Sequence, residues 1–375
     1  MKFLGNTIEY EIFGGSHEPE IGVIAKGLPA GEKIDLEKLQ AFLKRRAPGG
    51  NNWSTPRKEA DIPVFESGLD GDTLTGDVLR AVIKNTNTKS SDYKNILDVP
   101  RPGHADFTAH IKYGDSVNMA GGGPFSGRMT APMCILGGIC LQILEKRGVT
   151  IGAHIVRIGS VEGERYDPVN LTAKALLSAG RLDFPAENPQ TREKMKAEIE
   201  KYRQMSDSVG GIAECGITGF PAGIGGPMNE GLESAIAAIV FAIPAVKGIE
   251  FGAGFGAAEM TGSRNNDPFI IENGQIRTAA NNHGGILGGI SSGMPIIFRA
   301  AFKPTPSIGL PQQSVSLSRR EPETLIIKGR HDPCIVPRAV PVLEAAAAIA
   351  LLDAYLGDVP PAAQGPALRT RSPRA

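Results

Sequence analysis

Residues 130–159 read TAPMCILGGICLQILEKRGVTIGAHIVRIG, and this stretch decides the fold class. Positions 130–147 predict a helix, and 151–159 have the chemistry of a strand. The pair Gly137-Gly138 inside that helix costs about 1 kcal/mol per glycine relative to alanine, so it calls for a neighbour packed close against it. Working outward, a helix is predicted at 35–46, where Asp35 can cap and Leu36, Leu39 and Leu43 share one face. The charged run 191–205, with Met195, Ile199 and Tyr202 on one side, predicts a surface helix. Segments 230–243 and 342–356 are apolar helices of a core or subunit interface, the second opened by Pro341. Further strands are predicted at 211–217, 295–302 and 324–328. Helices and strands mix without a steady βαβ rhythm, so an α+β fold is expected rather than a doubly wound parallel sheet. The string LGGI occurs at 136–139 and again at 287–290, a hint of internal duplication. From 357 to 375 the chain turns to Pro, Ala, Gln and Arg without periodicity, as in a flexible tail.

Composition narrows the function. The 375 residues are 41% hydrophobic and 21% charged, an ordinary soluble globular balance. Forty basic and forty acidic side chains cancel, without the basic excess of a nucleic-acid binder, so any anion site must be built locally. Gly 47 and Pro 28 exceed average usage and predict many turns and close backbone approaches. Cys134, Cys140, Cys215 and Cys334 form no CxxC pair and read as reduced thiols, not zinc ligands. Glu9 and Glu11 interrupt any signal-peptide core, and the apolar runs near 235–242 and 345–352 fall short of the roughly 20 residues of a membrane span.

Chemistry is concentrated in short islands of His, Arg, Ser or Asp among glycines and prolines. Gly14-Gly15-Ser16-His17-Glu18 and Arg101-Pro102-Gly103-His104-Ala105-Asp106 place histidines where a ligand can approach closely. Gly121-Gly122-Gly123-Pro124-Phe125-Ser126-Gly127-Arg128 runs into the helix near Thr130, a setting that suits phosphate or carboxylate. Lys303-Pro304-Thr305-Pro306-Ser307 offers an ammonium and two hydroxyls on a stiff loop. Gly329-Arg330-His331-Asp332-Pro333-Cys334 adds an arginine and a carboxylate. Arg45, Arg46 and Arg57 flank another glycine-rich loop. Each island alone has a plain structural reading: a satisfied turn histidine, a tight glycine turn, an exposed ion pair or a basic helix end. GxxxxGK[ST], HExxH and GxSxG are absent, and GAGFG at 252–256 fails the dinucleotide fingerprint. Together the islands point to a small molecule with several anionic groups.

In order, these islands resemble the chorismate synthase family. The resemblance runs from about Gly5 to about Leu356 through GGSHEPEIG, RRAPGG, RPGHAD, the GGG loop ending in Arg128, FPAGIGGP, AVKGIE, NNHGGILGGISSG, KPTPS and GRHDPC. It implies one catalytic domain over 1–356, with antiparallel sheets inside and helices outside, assembled as a cytoplasmic homotetramer without nucleic-acid or membrane partners. The implied reaction is a 1,4-anti elimination of phosphate from 5-enolpyruvylshikimate 3-phosphate to give chorismate. It requires reduced FMN without net redox change, with NADP as the nicotinamide cofactor if the chain reduces its own flavin. By motif position, His17 and His104 take acid roles, and Asp332 helps remove the ring proton. Ser16, Arg45, Arg46, Arg101 and Arg128 fall on the substrate clamp. Ser126, Ala245, Gly288, Lys303, Pro304, Thr305, Pro306, Ser307 and Arg330 fall on flavin-contacting motifs. The chain departs from the family pattern at Glu18, Asn52, Pro124, Phe125 and Pro244, which makes it a divergent branch. Two other classes fit the islands less well: a flavin-free phosphatase or phosphotransferase with a histidine nucleophile, and a nucleotide- or RNA-binding module with few aromatic platforms.

Overall fold

In the computed structural model, which describes residues 1–49, 53, 59–85, 98–180, 182–327 and 332–358, the glycine pair finds its close neighbour. A Cβ on Gly137 would lie 2.3 Å from that of Ala345, and one on Gly138 would meet Leu39 at 2.5 Å. The helices are α1 (Leu36–Arg46), α2 (Asp106–Tyr113), α3 (Thr130–Glu145), α4 (Ala173–Gly180), α5 (Pro189–Gln204), α6 (Leu232–Phe241), the single turn α7 (Gly262–Asn265) and α8 (Val336–Asp358). Strands β1 (Lys2–Leu4), β2 (Glu9–Gly14), β3 (Glu20–Lys26) and β4 (Val64–Ser67) are followed by a small hairpin, β5 (Leu69–Asp70) and β6 (Thr73–Leu74), and by β7 (Leu79–Lys84). Next come β8 (Thr150–Ile158), β9 (Val161–Glu162), β10 (Gly211–Thr218) and β11 (Val246–Phe251). Two hairpins, β12 (Phe269–Glu272) with β13 (Gln275–Thr278) and β14 (Ile286–Leu287) with β15 (Ile290–Ser291), precede β16 (Ile296–Phe302). A last ribbon pairs β17 (Gln312–Ser316) with β18 (Glu321–Leu325).

Two five-stranded antiparallel sheets result, in the orders β1-β2-β3-β7-β4 and β11-β16-β10-β8-β9. The α+β class stands. The layer order differs from the expected one, because α3 packs on β3 and β7, α8 packs on β8 and β10, and the two helices pack on each other. Both are apolar on nearly every side, so only the space between the sheets can bury them. Helix α4 covers the opposite face of the second sheet through Leu176, which meets Gly152 and Gly216. By length and apolarity α8 and the helical run Gly127–Glu145 that contains α3 could cross a membrane, but 94% and 83% of their apolar windows are buried inside the protein. They are core helices.

Helix α8 carries three carboxylates, and each accepts from backbone N–H groups elsewhere. Asp353 accepts from Asn6, Thr7 and Ile8 at 2.6–2.9 Å, which ties the helix to the turn between β1 and β2. Glu344 accepts from Ala153 of β8 at 3.0 Å, and Asp358 from Gly225 at 2.6 Å. A buried donor left unmade costs about 1–3 kcal/mol, so these acids fix α8 between the layers.

Other expectations shift in detail. Helix α8 begins at Val336, with Pro337 in its first turn and Pro341 inside it, so the proline that suggested a start at 342 does not mark one. It also runs through Gly357 and Asp358, two residues into the expected tail, whose remainder lies outside the described residues. Helix α5 buries Met195 and Ile199, the stripe its sequence showed, and Asn188 caps it. The strand expected at 324–328 is instead β18, which ends at Leu325. The two LGGI strings adopt different structures, a helix and a hairpin, so they mark no duplication. The first sheet is absent from the sequence reading.

Candidate active site

A cavity of about 560 Å³ opens where the end of α1, the turn before α3, β11, the loop after β16 and the start of α8 meet. Small-molecule sites span roughly 300–1,000 Å³.

Gly121, Gly122 and Gly123 have φ of 63°, 93° and 50°, backbone that L side chains rarely adopt. Space forbids a side chain as well. A Cβ on Gly121 would lie 2.1 Å from His17 Cε1, and one on Gly122 would lie 3.2 Å from His104 Nε2. The glycine turn therefore holds both sequence-predicted histidines against successive residues. Ser16 Oγ lies 3.3 Å from His17 Nδ1. Ser126 and Gly121 line the cavity, and His17 sits directly behind Gly121.

His104 Nδ1 lies 2.7 Å from Asp106 Oδ1, in the first turn of α2. Arg101 braces the same carboxylate through its backbone N–H and through Nε and Nη2, at 3.0, 2.6 and 2.7 Å. Burial alone would raise the Asp106 pKa, but the hydrogen bonds from Arg101 and His104 outweigh it and hold the carboxyl well below its usual range. With Nδ1 donating to Asp106, Nε2 is the nitrogen left to exchange a proton with a ligand.

Arginines form one half of the cavity. Arg46 ends α1 with its side chain 3% exposed; it donates to Asp61 Oδ2 at 2.6 Å, Thr130 Oγ1 at 3.1 Å and Gly127 O at 3.2 Å. Arg128 pairs with the other oxygen of Asp61 and with Glu59 at 2.7 Å. Its Nε also donates to Asn85 Oδ1 at 3.1 Å, and Asn85 in turn donates to the carbonyls of Gly15 and Glu18 beside His17. Arg338, in the first turn of α8, donates to Asp332 Oδ2 at 2.7 Å and to the carbonyl of Arg46 at 3.0 Å. Burial lowers the Arg338 pKa, and Asp332 opposes the shift.

Lysines form the other half. Lys303 and Lys247 both line the cavity, and Lys303 Nζ donates to Gly103 O. Burial, and then the charge of Lys247, depresses the Lys303 pKa. Arg101 Nη1 reaches Ser307 Oγ at 3.2 Å. Ala245, at a left-handed φ of 74°, lines the cavity and accepts from Lys303 N at 2.9 Å. Thr305 Oγ1 is buried without a partner among the described residues, on a residue of the cavity wall. An orphaned hydroxyl in a cavity wall that also carries two ammonium groups and a serine fits a nucleotide phosphate.

Of the predicted residues, Arg46, Arg101, His104, Ser126, Arg128, Ala245, Lys303, Thr305, Pro306, Ser307 and Asp332 line this cavity, with Ser16 and His17 immediately behind it. Pro124, Phe125 and Pro244, three departures from the family pattern, line it too. Arg45 is not brought in: both its Nη atoms bond Glu344, at 2.6 and 2.8 Å, so its charge serves the α1–α8 contact. Pro304 turns to the back of its loop, where a Cβ on Gly210 would meet it at 3.1 Å. Gly288 sits at the exposed tip of the β14–β15 hairpin, away from the cavity wall. Arg330 and Asn52 lie outside the described residues.

Glu59, Asp61, Asn85, Asp106, Lys247 and Arg338 were missed by sequence reasoning. Asp106 and Lys247 stood inside motifs already quoted, RPGHAD and AVKGIE. Arg338 was hidden by placing the start of α8 too late. Nothing local marks Glu59, Asp61 or Asn85.

A family model described as chorismate synthase matches residues 8–356. A chorismate synthase of Lancefieldella parvula is 48% identical over 360 residues, covering 93% of this chain and 94% of that protein. One from Thermococcus kodakarensis is 44% identical over 352 residues, covering 94% and 97%. A crystal structure of chorismate synthase superposes with a TM-score of 0.73 at 26% identity, over 94% of this chain and 92% of that one.

Proposed function

The chain belongs to the chorismate synthase family of lyases, and on that footing we propose that it converts 5-enolpyruvylshikimate 3-phosphate into chorismate and phosphate by 1,4-anti elimination with reduced FMN. One observation carries the reading: chemistry-bearing residues from Arg46 to Asp332, scattered along the sequence, line one cavity. Arg46 and Arg128 bind the substrate's anionic groups in a fixed geometry. His17 and His104 act as acids near the departing phosphate and the flavin, His104 with its Nδ1 committed to Asp106 and its Nε2 left to exchange a proton. Asp332, held by Arg338, takes up the ring proton. Lys303, Lys247, Thr305 and Ser307 hold the phosphate end of FMN. When bound, reduced flavin supplies electron density to the electron-poor ring as the C–O bond breaks.

The same reading makes the protein a cytoplasmic homotetramer. The β12–β13 hairpin supports assembly, because Phe269, Ile271 and Ile276 are 71%, 81% and 74% exposed and an isolated hairpin is marginal in water. The decisive assay is anaerobic phosphate release at saturating FMN. Reduced FMN is expected to support many turnovers without consuming reductant, and oxidised FMN none. Equal rates with oxidised flavin overturn the reading and favour a hydrolase.

A further inference from the structure

Asp61 is absent from the cavity wall; its side chain is 0% exposed. Each of its oxygens takes a different guanidinium, Oδ2 from Arg46 at the end of α1 and Oδ1 from Arg128 in the turn before α3. It does so from φ 48°, a left-handed conformation that Asp and Asn tolerate better than other side chains. Burial would raise its pKa, but the two arginines outweigh burial and hold it below the usual carboxylate range.

Formal charges make this arrangement informative. On the arginine side, the guanidiniums of Arg46, Arg128 and Arg338 face the carboxylates of Glu59, Asp61 and Asp332. Among the described residues these charges cancel, although the proposed substrate is strongly anionic. Bulk attraction therefore cannot explain recognition on that side, whereas fixed donor directions can.

The geometry points to Asp61 as a positioning residue for substrate recognition, one that holds the Arg46 and Arg128 forks in the single arrangement that meets the substrate's anionic groups. The inference rests on the reaction proposed above. It makes a prediction opposite in sign to simple electrostatics. Removing a negative charge beside a site should tighten anion binding, yet loss of positioning should weaken it.

Two variants separate charge from position. Asp61→Asn keeps the shape and the tolerance for φ 48° but removes the charge; Asp61→Glu keeps the charge but displaces the carboxylate by one methylene. Positioning predicts that both raise KM for the enolpyruvyl substrate about tenfold or more, with kcat within about threefold and FMN affinity unchanged. A lower KM in Asp61→Asn, or wild-type KM in Asp61→Glu, overturns the inference. So does wild-type KM in both variants with only a lowered melting temperature, the mark of a structural role. If neither folds, Thr130→Val removes another anchor of Arg46 without touching a buried charge, and wild-type KM there overturns it. Inorganic phosphate titrated calorimetrically into each variant provides a readout independent of turnover. If the wild type fails to release phosphate from the substrate, the proposed reaction falls, while the ratio of phosphate affinities still judges Asp61: weaker binding in both variants supports it, and equal or tighter binding overturns it.

Discussion

The two halves of the cavity carry positive charge in opposite ways. On the arginine side every described guanidinium is already bound to a carboxylate: Arg46 and Arg128 to Asp61, Arg128 also to Glu59, and Arg338 to Asp332. On the lysine side, among the described residues, neither Lys247 nor Lys303 has a carboxylate partner, and Lys303 rests on a backbone carbonyl. A paired arginine fork is rigid and directional but adds little net charge, whereas an unpaired ammonium is a point charge that adapts to its ligand. The difference suits one half to reading the shape of a reacting substrate and the other to holding a phosphate that does not react. Between them stands His104, tied to Asp106, which Arg101 also holds while reaching Ser307 on the lysine side.

Breaking the junction should cost most. His104→Ala and His17→Ala are each expected to lower kcat by about 10²–10⁴-fold with the fold intact, while substrate and flavin affinities stay near wild type because neither half is touched. Turnover within threefold of wild type for both would sink the acid assignment. Asp332→Asn comes next: a loss of roughly tenfold or more in kcat is expected, with near-normal FMN binding, measured by single-turnover phosphate release. A normal rate would demote Asp332 to a partner of Arg338.

The halves should also separate under acid. Asp61 and Asp106 both have depressed pKa values in the fold, so the stability they contribute is complete above the unfolded carboxylate range near pH 4 and is lost as pH falls toward their folded values. Melting temperatures are expected to fall as pH drops below about 4, with a shallower fall in Asp106→Asn. A parallel fall in that variant would remove Asp106 from the explanation.

The same contrast explains what the sequence made legible. The lysine half is written in contiguous motifs: KPTPS supplies Lys303, Thr305 and Ser307 from one loop, so recognising the string finds the wall. The arginine half is written in pairs distant along the chain. Arg46 and Arg128 announce themselves beside glycines, but Asp61 lies 15 residues from one partner and 67 from the other, and a buried carboxylate leaves no local trace. Pro341 hid Arg338 because a proline inside a helix resembles a helix start. Arg45 failed for the opposite reason, since adjacent arginines on a helix end point to different sides and only Arg46 turns toward the cavity. In the fold, the glycine pair of α3 correctly called for a close neighbour. The central place of α3 and α8 was missed, because an all-apolar helix reads alike at a core and at an interface. The first sheet was missed because its strands, such as KFL and EYEIFG, are short and carry charges at exposed positions.

The smallest expected effects belong to the lysine half, and they test whether its charges act on the flavin phosphate as a pair. Lys303→Ala should weaken FMN about tenfold or more, since a hydrogen bond to a charged group is worth about 1.5–3 kcal/mol, with substrate KM little changed. Lys247→Ala should weaken it only a few-fold, because Lys247 is exposed and its contact is screened. The two are nevertheless coupled. Burial and the Lys247 charge together depress the Lys303 pKa, so in the wild type FMN affinity should begin to fall below the ordinary lysine range near pH 10.4. Removing Lys247 relieves part of that depression, so Lys303 should keep its proton to higher pH. The variant is thus expected to bind FMN less tightly at neutral pH yet lose affinity later on the alkaline side. Fluorescence titration of FMN from pH 7 to 10.5 measures both shifts. An alkaline limb that does not move in Lys247→Ala would show that the two ammonium groups do not share a ligand, and the lysine half would reduce to Lys303 alone.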